Sequence, residues 1–518
     1  MVIFLPVILM LATAATLLIL KLARPGFRYP WMVATAGATL AFASVFTWQI
    51  RFPQSFSLPS WQPSTVFRYN LIWLADGTSW PYALALAALG AAVIWTSVVR
   101  LESEPLSWAG TLLLSALGIL AVTAGNPLTL VMAWCAFDLA ELLTMLRFTE
   151  GESQNESLAI ALATRLGGTG LVLLASMLSL SSGTPLDFRV TPRSAGLYLL
   201  IASGLRLGVL PLYFPYGRGN VLRRGFGTTL RLVSAAASLA LLARIPPSAL
   251  ESRLLPYLLI LAAITALYAG WMWLRASDEI MGRPFWVPGL AALAVAASLR
   301  GDPGGSTGWG IGLVLSGGLL FLFSARRRSI LWLLLAGLWG ISALPFSPSA
   351  AAWGSGNASG WVLMLPFVLA QALFIAGFVR HSLHPGETSL ESQEKWVQVI
   401  YPTGLLLLGG TIVLLGQWGW PGARVIGPWL TGTIAILLAA ILVILALRLL
   451  VRLTAGGSKQ WMGIFRPGWL KTALNVVVGW VRQLADLITR TLEGEGGLLW
   501  SFLLLVLIVS VLSTRQQP

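Results

Sequence analysis

The chain is poor in the residues that soluble enzymes rely on. Of its 518 residues only 10% are charged, where a soluble domain carries roughly 25%. It has one cysteine, Cys135, which is too few for an iron–sulfur cluster or a disulfide framework. Its two histidines, His381 and His384, stand at the end of one apolar run. A transmembrane haem needs histidines inside the helices, so this pair reads as solvated and interfacial. No Gly-rich loop ending in Lys-Ser or Lys-Thr occurs, which excludes ATP binding by that route. The sequence predicts no cofactor and no metal, and any redox or ATP chemistry would belong to partners.

What is there is apolar. Hydrophobic residues make up 57% of the chain, and mean hydropathy is +0.80. A spanning helix needs about 20 mainly apolar residues. Such runs occur at 2–22, 30–50, 80–99, 107–123, 127–147, 157–182, 193–213, 225–246, 253–274, 285–299, 308–324, 328–345, 358–379, 402–417, 427–452 and 496–513. They predict an all-α polytopic membrane protein of sixteen spans, with hardly any sequence left for an extramembrane domain. The first run begins at Met1 without a basic n-region or a small-residue cleavage site, so it is not read as a cleaved signal.

The net charge of +15 arises from 34 Lys and Arg against 19 Asp and Glu. The basic residues sit in short loops between apolar runs, which is the pattern that sets membrane orientation and not a nucleic-acid surface. Loops after odd-numbered spans are rich in them (Lys21, Arg24, Arg28, Arg100, Arg147, Arg326, Arg327, Arg328), while loops after even-numbered spans hold fewer (Arg51, Arg68, Arg189). The bias predicts an integral protein of a prokaryotic inner membrane with both termini on the non-cytoplasmic side. Its expected partners are lipids and other membrane subunits, with no nucleic acid.

Segment 468–493 differs from the rest. Lys471, Asn475, Arg482, Asp486, Arg490 and Glu493 repeat at helical spacing on one face, and Trp469, Ala473, Val476, Trp480, Leu484 and Leu487 on another. This predicts an amphipathic helix of about 25 residues, roughly 37 Å long, lying along the cytoplasmic surface. Two readings stay open, a passive surface helix and a mechanical coupling element. The predicted organisation is therefore 1–106 for the first three spans, 107–246 and 253–380 for two five-helix blocks, 400–452 for two more spans, 468–493 for the surface helix and 496–513 for the last span.

Each block carries prolines at the end of its fourth span, Pro211 and Pro215 in the first and Pro345 and Pro348 in the second. Proline in a helix removes a hydrogen bond, and interrupted helices in corresponding places point to inverted repeats with an ion path at the breaks. The alternative is that these prolines merely end helices. Ionisable residues at depth are a functional hypothesis by default. Asp138 and Glu141 lie three apart, on one face of the fifth span. Arg165, Arg206 and Arg231 lie in the next three spans. Together they could form an ion-coupled switch or a static salt bridge. Asp278, Glu279 and Arg283 read as a surface turn, leaving spans 10–12 without a charge at mid-depth.

With these features in place, the chain resembles the antiporter-like subunits of respiratory complex I, most closely the distal subunit with a lateral helix, and also chains of Mrp-type antiporters and inorganic-carbon uptake complexes. The carrying stretches are Leu74-Ala75-Asp76-Gly77-Thr78-Ser79, Ala163-Thr164-Arg165-Leu166-Gly167-Gly168 and Gly204-Leu205-Arg206-Leu207-Gly208-Val209-Leu210-Pro211-Leu212. The resemblance implies a non-redox subunit of a proton- or cation-translocating assembly, with Asp138 at the family's fifth-span Glu, Arg206 at its seventh-span Lys and Arg231 near its eighth-span His or Lys. Met281 stands where that family has a Lys, and the twelfth-span Lys or Glu falls near Trp353. Arginine does not release its proton as a buried lysine can, so the resemblance implies a partly lost proton path. A scaffold without transport is the other reading.

Overall fold

The computed structural model describes residues 2–59, 69–99, 105–148, 152–214, 224–327, 330–354, 361–384, 386–425 and 429–455, together with position 483. Pro215, the predicted surface helix 468–493 and the predicted last span 496–513 lie outside the described residues.

The apolar runs form helices: α1 (Leu5–Ala23), α2 (Pro30–Phe46), α3 (Ser79–Thr96), α4 (Pro105–Val122), α5 (Pro127–Phe148), α6 (Glu152–Ser181), α7 (Arg193–Leu207), α8 (Arg224–Arg244), α9 (Leu255–Arg275), α10 (Glu279–Leu299), α11 (Pro303–Leu322), α12 (Leu333–Gly340), α13 (Trp361–Ser382), α14 (Lys395–Gln417) and α15 (Trp429–Ala455). Twelve of the described helices are long and apolar enough to cross a membrane. Among the described residues, sheet is confined to a hairpin of β1 (Gln54–Ser57) with β2 (Ile72–Ala75) and a two-residue parallel pairing of β3 (Ala325–Arg326) with β4 (Thr388–Ser389).

Helices α8 and α11 are buried along their whole length and pack on each other at the centre. Around them, α4 and α3 close on α8, while α10 closes on both. The outward faces stay apolar, as on α5, where Leu139, Leu143 and Leu146 are exposed. A patch of this kind in water would be a liability, and in a bilayer it faces a solvent of its own kind.

The fourth helix of each block is the short one, but the interruption precedes the prolines. Helix α7 stops at Gly208, whose φ of 72° is the left-handed cap that glycine tolerates. The loosened backbone is then satisfied from outside the helix: the Thr265 hydroxyl of α9 donates to the Val209 carbonyl at 3.1 Å. Helix α12 stops at Gly340, ahead of Ala343 and Phe346, both with positive φ (56° and 63°). Such residues cost about 1–3 kcal/mol each and persist where neighbours hold them. Here the buried Gln371 amide of α13 donates to the carbonyls of Ile341 (3.1 Å) and Ser342 (3.2 Å), and Trp353 Nε1 donates to its oxygen at 2.9 Å. Pro345 and Pro348 lie in this strained loop, after the helix has ended.

In the Leu74–Ser79 stretch, the turn that joins β2 to α3 is anchored to the end of α8. Asp76 Oδ1 caps the chain by accepting from the Ser79 amide at 2.9 Å, and Arg244 reaches Asp76 Oδ2 at 3.2 Å. Burial pushes the Asp76 carboxyl up, but the Arg244 guanidinium and the Ser79 and Thr78 groups outweigh it and hold the carboxyl below its ordinary value of 3.8. A depressed folded-state value gives stability that is present above 3.8 and fades as pH falls through the lower folded value. Thermal melts should therefore lose a contribution only below about pH 4, and Arg244→Gln, which removes the largest lowering influence on Asp76, should shrink that loss. An acid limb unchanged by Arg244→Gln would separate this pair from acid stability.

Candidate functional site

Helix α5 places Asp138 and Glu141 on its inner face, each only 3% exposed. The spacing of three residues that put them on one face in the sequence therefore also puts them at one contact. Arg206, on the last turn of α7 before its break, meets Asp138 in a bidentate pair with both N–O distances 2.7 Å. This fork geometry is what a planar guanidinium offers a carboxylate. Arg165 of α6 lies 3.6 Å from Asp138 and is hydrogen-bonded to Glu141. The two arginines are tied to each other as well, since Arg206 donates to the Arg165 carbonyl at 3.1 Å.

The neighbours explain why the cluster fits. Gly168 of α6 lies against the Arg206 stem, 2.7 Å from where a Cβ would stand, so a side chain there would displace the arginine. The buried Trp134 ring lies under the Arg206 guanidinium, 4.1 Å from its centroid. Thr169 of α6 adds an acceptor at 3.3 Å. Just beyond the α7 break, Tyr213 shares a 2.8 Å hydrogen bond with Thr164, next to Arg165. Trp134 and Thr169 carry no signal a sequence could give beyond helical spacing, and sequence reasoning missed them.

Arg231 of α8 joins the site differently. It borders a cavity of about 20 Å³ together with Arg165, Arg206, Phe214 and, from α10, Arg283. Pro284 and Pro288 of α10 line the same cavity, within a helix that is continuous across them.

Three expectations are corrected here. Glu279 and Arg283 are not at a surface turn; they are 3% and 1% exposed. Asp278 caps the helix by accepting from the amides of Ile280 (2.9 Å) and Met281 (2.8 Å), so α10 begins ahead of the apolar run and carries its first turn inward. Glu279 there pairs with Arg224 of α8 at 3.0 Å, which also reaches the exposed Glu387 at 2.6 Å. Arg283 donates to Thr228 Oγ1 at 3.1 Å. The second block is thus not free of buried charge. His381 is not solvated either. It is fully buried, 4.4 Å from the Trp273 ring and hydrogen-bonded through Nε2 to the Trp273 carbonyl at 2.9 Å, whereas His384 is exposed.

Pro211 follows the α7 break and is exposed. Beside Trp353 lies Arg300, whose guanidinium is 5.6 Å from the ring centroid, and Asp302, the cap of α11, lies against the next residue, Gly354.

No protein-family model matches the chain, and no curated protein matches it significantly. Solved structures do. A chain of the Mrp complex from Dietzia sp. DQ12-45-1b superposes with a TM-score of 0.70 at 14% identity, covering 100% of this chain and 63% of that one. This chain thus spans less than two thirds of that Mrp chain's length. A chain of the membrane-bound sulfane sulfur reductase, an archaeal respiratory membrane complex, superposes at 0.66 with 12% identity, over 99% of this chain and 100% of that one. A chain of respiratory complex I from Thermus thermophilus superposes at 0.63 with 20% identity, over 85% and 100%. The chain is an integral membrane protein that shares the fold of these chains of membrane complexes.

Proposed function

We propose that this chain is an antiporter-like subunit of a proton- or cation-translocating, complex I-like membrane assembly, in which Asp138 and Glu141 are the exchanging acids. The observation that carries the reading is the buried Asp138–Arg206–Arg165–Glu141 cluster at the break of α7. Arginine keeps its proton at any working pH, so a proton passing this point is carried by a carboxylate. When Asp138 takes a proton its bidentate pair loses the ionic component. Arg206 stays charged, held by the Trp134 face and the Arg165 carbonyl. Glu141, still paired with Arg165, is the adjacent acceptor. Breaking a buried pair outright costs about 3–5 kcal/mol. Transfer therefore needs a compensating field, which a moving charge in a neighbouring subunit supplies.

A static reading has its own support, because both Asp138 oxygens are already satisfied at 2.7 Å. Ion flux in vesicles holding the assembled complex separates the two. Asp138→Asn/Glu141→Gln should change coupled flux per assembled complex. Unchanged flux would make the cluster a structural clamp, and full pumping by the isolated subunit would defeat the proposal of a partial path.

The domain organisation, the prokaryotic inner membrane, the lipid and subunit partners and the sidedness belong to the same proposal. External labelling at Arg515→Cys and protection at Lys459→Cys is the pattern required for non-cytoplasmic termini. The opposite pattern would invert the topology.

A further inference from the structure

The buried His381 has two ring nitrogens in different states. Helix α9 ends at Arg275, and helix ends leave their last carbonyls without helical donors. The Trp273 carbonyl is one of these, reached by the Ala276 amide at 3.3 Å and by His381 Nε2 at 2.9 Å. A carbonyl can only accept, so Nε2 carries the proton of the neutral ring and Nδ1 carries the lone pair. Nδ1 is buried and has no hydrogen-bond partner among the described residues. The acceptor that orients the ring is itself fixed. Trp273 is wedged between Gly282 and Gly377, where a Cβ would stand 2.6 and 2.4 Å from the indole, and its Nε1 donates to the Phe374 carbonyl at 3.2 Å. Satisfying a freed carbonyl does not require an imidazole, since the Gln371 amide does so at the α12 break. What the imidazole adds is a base.

The charged groups facing this ring are Asp278 and Glu279 from the start of α10 and Arg380 from α13 itself. Arg275 ends α9 with its guanidinium over the Trp271 ring, and Arg283 of α10 is turned to Thr228 of α8. Helix α12 carries no ionisable residue. Two carboxyls thus face the ring against one guanidinium. The surface is a single turn away, because the amide of the exposed His384 donates to the His381 carbonyl at 3.3 Å.

We propose that His381 is a proton-binding site of the second block, taking a proton on Nδ1 from water at the exposed end of α13 and releasing it from the same nitrogen. The N–H bond made at Nδ1 is the one later broken, while the Nε2 proton stays on the Trp273 carbonyl. The ring therefore alternates between neutral imidazole and imidazolium without turning. A part for this exchange in ion translocation rests on the function proposed above, whereas proton binding itself does not.

The test is infrared spectroscopy of the assembled complex grown with histidine isotope-labelled at the ring carbons. A His384→Gln background leaves His381 as this chain's only imidazole. Lowering the pH should raise an imidazolium band that is lost in His381→Gln, whose amide can still donate to the Trp273 carbonyl. Arg380→Gln removes a like charge, so the band should appear at higher pH. Arg193→Gln, at the exposed pair with Glu251, should leave it in place. If His381→Gln fails to assemble, the Arg380→Gln shift decides. No imidazolium band beyond that of His381→Gln, or a band that Arg380→Gln does not move, would overturn the proposal. Coupled flux separates it from the function reading. Flux that follows the α5 acids but keeps its level and pH profile in His381→Gln would overturn exchange at His381 alone. Flux indifferent to Asp138→Asn/Glu141→Gln, with the band still titrating, would overturn the function reading and leave the proton-binding site standing.

Discussion

Replacing Asp138 with alanine should destabilise the protein by about 3–5 kcal/mol, far more than the loss of one hydrogen-bonded contact suggests. The carboxylate is 3% exposed and receives both arms of Arg206 and the approach of Arg165. Its removal leaves Arg165, Arg206 and Arg231 buried with Glu141 as the remaining buried acid among the described residues of α5 to α8. Because the cost lies mostly in the stranded guanidinium, Asp138→Ala combined with Arg206→Met should be less destabilised than Asp138→Ala alone. Thermal melts of the complex carrying each variant complete the double-mutant cycle. Additive losses would show that the two side chains are not energetically coupled.

The second large effect is expected at Arg224, where the contrast between two carboxylates on one guanidinium is informative. Glu279 is 3% exposed, whereas the Glu387 side chain is 55% exposed. Arg224→Met strands a buried acid and should cost about 3–5 kcal/mol. Glu387→Ala removes only a solvent-screened partner and should cost about 0–1 kcal/mol. The same melts read both. Equal losses would mean that Glu387, and not Glu279, anchors α8.

Much of this was legible in the sequence for physical reasons. Apolar runs of spanning length have few fates in a chain this poor in charge, so α1 to α15 each fall on a predicted run. The three-residue spacing of Asp138 and Glu141 fixes their shared face on any helix, and their arginine partners follow from the cost of burying them alone. The errors have equally particular causes. Hydropathy starts α10 too late because Arg283, Pro284 and Pro288 dilute its first turns, while the Asp278 cap that starts it is a local hydrogen bond. Prolines drew attention to the α7 and α12 breaks, but the helices end earlier, at Gly208 and Gly340. Gln371 is one polar side chain in an apolar run, and its task of holding freed carbonyls exists only once α12 has broken. His381 sits in the last turn of α13; nothing local says that Trp273 covers it.

The central claim is that the α5 carboxylates change protonation while the arginines around them stay charged. Infrared difference spectra of the assembled complex, recorded as it is energised, read this directly through the carboxylic-acid carbonyl stretch. The account predicts a protonated-carboxyl band that shifts in deuterium oxide, is absent in Asp138→Asn/Glu141→Gln, and is kept when the exposed Glu251 is changed to Gln. The same band in the double variant, or none in a wild-type complex that is translocating ions, would contradict it.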